Sequence, residues 1–181
     1  MDRRVSQLKR DTSTHYPILI KALQLTMGPV LELGSGVFST PLIHWLCFGK
    51  NRPVVTCEYD TRFAVFAQQF VTPTHQLLLQ PATELPPRTT QDGRSFDVVF
   101  VDHSPERRKG PHIRTRGDDV RLYATTAKYL VLHDGGPCPD QKYGYLPLYE
   151  EFEHVFHDTR IHPHTTVLSN FTNLDVQFFN C

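Results

Sequence analysis

The stretch Val30-Leu31-Glu32-Leu33-Gly34-Ser35-Gly36-Val37-Phe38-Ser39-Thr40-Pro41 constrains this chain more than any other. A short apolar run ends in two glycines one residue apart, and a helical pattern follows at once. Glycines let the backbone turn sharply and let a ligand approach where a Cβ would stand in the way. Ser39 or Thr40 is placed to cap the next helix, with Pro41 at its first position. A strand feeding such a turn and helix is the opening unit of an open α/β sheet, whose ligands bind at the carboxyl ends of the strands.

The rest of the chain repeats the alternation. Apolar runs at 29–33, 53–58, 75–80, 96–102 and 128–133 read as strands covered on both faces. Helical patterns fall between and after them, at about 41–48, 61–71, 117–127 and 146–156. This predicts βαβ units in a doubly wound, Rossmann-like, mostly parallel α/β sheet. Beyond 156 the residues are polar and β-branched without a helical period. Two closing strands are expected near 159–163 and 165–169 or slightly later, joined by a turn at Pro163. Residues 14–27 predict an added helix, which either packs over the mouth of the site or caps the sheet. The expected organisation is an N-terminal extension, 1–27, and one domain, 28–181, which suits a chain of 181 residues.

Charge and cysteine usage remove several classes of function. Nineteen basic and nineteen acidic residues cancel, so nothing global draws the chain to nucleic acid or an anionic membrane. No apolar run reaches the roughly 18 residues of a spanning helix, and no secretory leader is evident. The four cysteines form no C-x-x-C pair, which gives no support to a zinc or redox site. Cys47 and Cys57 are expected as buried small hydrophobes in a reducing, cytoplasmic setting. The ten histidines are scattered and expected mostly at the surface.

Two acids accompany the glycine turn. Glu32 lies two residues before Gly34, and Glu58 ends the next strand, where an acid can accept from ribose hydroxyls. The third glycine of the dinucleotide fingerprint is absent, because Ser39 stands in its place. An acid at Glu32 suits a sulfonium cofactor bearing an α-amino group better than it suits NAD.

With these residues in view, the chain resembles the class I S-adenosylmethionine-dependent methyltransferases over about residues 28–170. ELGSG is similar to that family's first motif and the acid of VVTCEYD to its second. FDVVFVDHSP and YLVLHD are similar to strands four and five, and TTVLSN to the closing hairpin. The resemblance implies a seven-stranded sheet closed by an antiparallel hairpin. It implies that Glu32, Gly34 and Gly36 line the methionine part of the cofactor, with Ser35, Ser39 and Asp102 also in the cofactor site. Glu58 would hold the ribose, Tyr59 would lie near the adenine, and Ala82 and Thr83 would approach it.

Asp102-His103 and Asp134 are further similar to the catechol O-methyltransferase-like branch, which implies a divalent metal such as Mg2+ at Asp102 and Asp134. Two departures weigh against that metal. Gly135 stands where the branch has asparagine, and Pro105 stands where it has a lysine base.

The candidate catalytic residues are Asp102, His103 and Asp134, with His103 or a metal deprotonating the acceptor. His133 reads as a core histidine. Arg107, Arg108, Lys109, Arg114 and Arg116 follow strand four and either bind a phosphate or carboxylate of the acceptor or form a solvated loop. His15 is assigned to the acceptor side, and Asp118 and Asp119 to the start of the next helix. The expected function is methyl transfer to an oxygen or nitrogen of a small acceptor, an anionic one being the case that the loop cations would suit. Nucleic acid and membrane partners are not expected. The alternatives are an NAD-dependent oxidoreductase and a catalytically degenerate methyltransferase fold that only binds.

Overall fold

The computed structural model describes residues 13–81, 84–103 and 114–178. The order is α1 (Tyr16–Gln24), β1 (Val30–Leu33), α2 (Ser39–Phe48), β2 (Val54–Glu58), α3 (Thr61–Ala67) and β3 (His75–Leu79). There follow β4 (Val98–Val101), α4 (Arg116–Arg121), β5 (Tyr129–His133), α5 (Leu148–Glu151), β6 (His154–Asp158), β7 (Thr165–Ser169) and α6 (Leu174–Phe178). The strands form one seven-stranded sheet in the order β3-β2-β1-β4-β5-β7-β6. Strands β1 to β5 are parallel, and β7 runs antiparallel to both β5 and β6.

The central strands are buried at every position, as their unbroken apolar runs require. One face carries Leu31, Val99, Val101, Leu130 and Leu132 against Val120, Tyr123, Tyr145 and Leu148. The other carries Val30, Val98, Phe100 and Val131 against α1 and α2. Helix α1 buries Ile18, Leu19, Ala22 and Leu23 there. The buried Arg52 guanidinium fastens the exit of α1 to the entry of β1, donating to the carbonyls of Gly28 and Leu23 and to Thr26 Oγ1. The added helix therefore caps the sheet, while its first turn reaches the cleft described below.

Three expectations need correction. The helix expected over 117–127 is the short α4, Arg116–Arg121, continued by turns. The helix expected over 146–156 is only α5, and the closing strand expected at 159–163 lies earlier, as β6. Strand β6 is an edge strand, half-buried along most of its length, so its apolar signal merges with that of the preceding helix. Pairing with β7, from His154↔Ser169 to Asp158↔Thr165, decides its place. Helix α6 was not anticipated. Among the described residues no helix is long and apolar enough to cross a membrane.

Candidate functional site

Strand order reverses between β1 and β4, which run outward to opposite edges of the sheet. Ligand sites of open α/β sheets form at such a switch point, outside the carboxyl ends of the strands. The main-chain hydrogen bond from Asp102 N to Leu33 O, 2.9 Å, sets the end of β4 directly beside the glycine turn. A cleft of about 510 Å³ opens there, within the usual range for a small ligand. His15, Gly34, Ser35, Gly36, Phe38, Ser39, Glu58, Tyr59, Asp102 and His103 contribute to its wall.

The turn is held from below and from the side. Gly34 has φ +90°, and a Cβ on it would stand 2.5 Å from the His103 Cα. Its glycine is therefore required by the close approach of the β4 end as well as by any ligand. The Glu58 carboxylate accepts from Ser35 N and Ser35 Oγ at 2.9 Å, and from Tyr59 N and Asp60 N at 2.8 Å. Glu58 thus clamps the turn to the end of β2.

Glu32 does not reach the cleft wall. It is fully buried beneath the turn, where it accepts from Thr40 Oγ1 at 3.0 Å and Thr56 Oγ1 at 2.7 Å. Burial pushes its carboxyl up to about 7, against the lowering effect of the Ser39, Thr56 and Thr40 hydroxyls. This corrects the expected helix cap. Helix α2 starts at Ser39 after Phe38 with no side-chain cap, because the Thr40 hydroxyl serves Glu32. From Thr56 the polar chain continues to His75 Nε2, 2.9 Å, and on to His44 Nδ1, 3.1 Å from His75 Nδ1. His15, His44, His75, His103 and His133 are all buried, so the histidines are not mostly superficial.

Across the cleft, Asp102 and His103 both contribute to the wall, since β4 ends at Val101 and the chain bends after it. Burial pushes the Asp102 carboxyl up, opposed by His133 and Arg116. His103 Nε2 lies 2.8 Å from Asp119 Oδ2. Asp119 is 2% exposed and also ion-pairs with Arg114. The sequence reading gave Asp119 only a helix-starting role. That role belongs to Asp118, whose side chain completes a capping box with Thr115. The adjacent Asp-Asp pair carries no sign of which carboxylate turns inward.

His15 is 1% exposed, with its ring against Phe100 and His133 at centroid distances of 4.8 and 5.0 Å. Burial and the nearby His133 lower it to about 3, so the ring is neutral. His133 lies behind it, and Asp134, at φ +58°, opens onto a neighbouring pocket with Tyr143, His162 and His164.

Arg116 stands between the two strand-end acids rather than in solvent. Its guanidinium lies 3.2 Å from Asp102 Oδ1 and 3.2 Å from Asp134 Oδ2. The acceptor-binding role expected of Arg114 and Arg116 does not suit cations already paired with Asp119, Asp102 and Asp134. Asp102, His133 and Asp134 do offer donor atoms within 4.8 Å of one another. A guanidinium already between the carboxylates makes that set a poor fit for a divalent ion. Ala82, Thr83, Arg107, Arg108 and Lys109 lie outside the described residues.

No family model and no curated protein matches this chain by sequence. Solved structures do match it by fold. Cofactor-bound Rv0187 from MTB superposes with a TM-score of 0.61 at 19% identity, over 88% of this chain and 80% of that one. A TehB-like SAM-dependent methyltransferase from Corynebacterium glutamicum gives 0.57 at 14%, over 92% and 91%. A spermidine synthase in complex with the transition-state analogue AdoDATO gives 0.60 at 17%, over 94% and 68%. Structures described as RNA methyltransferases match as well. The chain has the class I methyltransferase fold.

Proposed function

On that fold, we propose that the chain is an S-adenosylmethionine-dependent methyltransferase acting on an oxygen or nitrogen of a small acceptor. The observation that carries this reading is the cleft in which the glycine turn, Tyr59 and Asp102 meet at the switch point of the sheet. The residues fit the cofactor. At Gly36 an added Cβ would meet only Ser39 Oγ, at 3.0 Å, so the backbone there is open to a ligand. Asp102 and Tyr59 both line the cleft, and this reading assigns the carboxylate to the ligand ammonium and the ring to the adenine.

When bound, the cofactor supplies an activated methyl group on its sulfonium. The protein's part is to hold the acceptor in line with that carbon and to take up the acceptor proton. His103 is the base of this reading. Asp119 orients its ring through Nε2, as a carboxylate does in a base-and-orienter pair. Glu58 and Glu32 act on the turn and not on the ligand, because their oxygens are already engaged by the protein.

A small acceptor is favoured because the start of α1, with His15, walls one side of the cleft. An anionic acceptor would rely on Arg107 and Arg108, since Arg114 and Arg116 are committed to carboxylates. A cytoplasmic setting is favoured by Cys47, Cys57 and Cys138, which carry free thiols. An NAD-dependent oxidoreductase is disfavoured, because β7 runs antiparallel where the dinucleotide order is built from parallel strands.

Isothermal calorimetry with S-adenosylhomocysteine tests the reading. Binding in the micromolar range is expected, with none to NAD. No heat at millimolar S-adenosylhomocysteine would refute it. Methyl transfer from labelled cofactor across a panel of phenols, amines and carboxylates then separates an enzyme from a fold that only binds.

A further inference from the structure

Two acids at adjacent strand ends, with a histidine between them in space, are the usual makings of a divalent-metal site. Here the space between the two carboxylates is already taken by a guanidinium. The Arg116 side chain is 4% exposed. One terminal nitrogen reaches Asp102 Oδ1 at 3.2 Å. The other reaches Asp134 Oδ2 at 3.2 Å and also donates to the His133 carbonyl at 3.2 Å. Its Nε donates to the His103 carbonyl. The guanidinium therefore spans the end of β4 and the end of β5 with a carboxylate and a carbonyl from each. The Tyr143 ring covers its face, 4.2 Å from Cζ.

The next residue adds no ligand. A Cβ at Gly135 would stand 2.5 Å from Thr166 Oγ1 and 2.9 Å from Thr166 N, so position 135 cannot supply a donor side chain. Asp134 itself holds φ +58°, a left-handed conformation that Asp adopts more readily than most non-glycine residues.

We propose that Arg116 is the resident cation of this rim. It occupies the position between Asp102 and Asp134 that a divalent ion would need, makes the site independent of metal, and locks Asp102 in the orientation it presents to the cleft. Arg116 is a positioning residue in this role, acting on the ligand through Asp102. A fixed planar fork suits the task, since it can bond two carboxylates at once where a lysine offers a single point of charge. The proposal stands whether or not the chain transfers methyl groups, because its probe is the metal alone.

The test is Mn2+ binding, read by electron paramagnetic resonance and calorimetry. The unmodified chain is expected to bind Mn2+ no more tightly than millimolar. Arg116→Met should unmask a site at least about tenfold tighter, and adding Asp134→Asn should remove it. A micromolar Mn2+ site in the unmodified chain that Asp134→Asn abolishes would overturn the proposal. So would a folded Arg116→Met protein with no gain in Mn2+ affinity. Should Arg116→Met fail to fold, the Arg116 Nε–H resonance of the unmodified protein decides. It should be protected from exchange, unmoved by millimolar Mg2+, and displaced in Asp134→Asn. Displacement by Mg2+ would show the ion entering between the acids and would refute the assignment.

Discussion

The two walls of the cleft treat their polar groups in opposite ways. On the glycine-turn side nearly everything is paired internally. Glu58 accepts from Ser35, Tyr59 and Asp60, and Glu32 from Thr40 and Thr56. On the β4–β5 side, beyond the Arg116 fork, buried groups are left over. Among the described residues, both ring nitrogens of His15, Nδ1 of His133 and the hydroxyls of Thr14 and Thr165 have no hydrogen-bond partner. Unpaired buried polar atoms are uncommon and lower stability, so their concentration near one wall requires a reason. The turn side is a finished scaffold that presents backbone. The opposite side is an unfinished one, and His15 brings that unfinished region to the cleft wall.

The sharpest way to break this contrast is to dismantle the finished side. Glu58→Ala strips four hydrogen bonds from the turn and leaves buried N–H donors unmet. It should lower stability by roughly 2–4 kcal/mol and abolish S-adenosylhomocysteine binding, as seen by denaturant unfolding and calorimetry. Retained affinity would mean that the turn orders itself without its clamp.

His103→Gln comes next. Turnover should fall roughly 10²- to 10⁴-fold while S-adenosylhomocysteine affinity stays within about threefold. Steady-state kinetics on any acceptor that the panel identifies would separate a base from a wall residue.

Glu32 gives a pH signature confined to the turn side. Its folded value, about 7, lies above the ordinary 4.5. The folded state therefore holds a proton that the unfolded state has released, and the Glu32 contribution to stability falls as pH rises through that window, opposed by the buried His15 and His75 rings, whose lowered values make their contributions rise. The slope should be at most about 1.4 kcal/mol per pH unit, flattening above about 7. Glu32→Gln should remove this contribution, read in urea titrations as a change between pH 5 and pH 7.5 in the stability difference between the unmodified protein and the variant.

The two glycines should part company. Gly34→Ala strains a left-handed backbone and meets His103, lowering stability by roughly 1–3 kcal/mol. Gly36→Ala should leave thermal stability nearly unchanged and weaken S-adenosylhomocysteine about tenfold. The smallest effect belongs to the unfinished side. His15→Phe removes no hydrogen bond, so stability should stay within about 1 kcal/mol, while the KM for the acceptor rises. A large loss of stability would mean that the His15 nitrogens are satisfied in solution.

Sheet and turn were legible because each is written in contiguous residues. PVLEL before Gly34 and FDVVFVD before His103 have the apolar runs of doubly covered strands, and the glycines mark the bend. What sequence could not show is which polar side chain meets which across the fold. Ser39 and Thr40 look like helix caps, but Glu32 lies beneath them and Thr40 turns to it instead. Arg116 looks like one more loop cation. Its burial follows only from α4 starting at that residue, under the ends of β4 and β5. Asp119 differs from Asp118 by one position on a helix, and that rotation decides whether a carboxylate caps a turn or holds His103.

Helix α1 also carries a consequence in time. It comes early in the chain, yet Ile18, Leu19, Ala22 and Leu23 pack in a cluster with residues of β4 and β5, which come much later. The Glu58 clamp on the glycine turn links only Ser35, Tyr59 and Asp60, although Gly34 itself also packs on the end of β4. The His15 wall must wait for distant strands, and such closures are slow because a long loop has to be ordered first. Hydrogen exchange should find the start of α1 opening ahead of the turn.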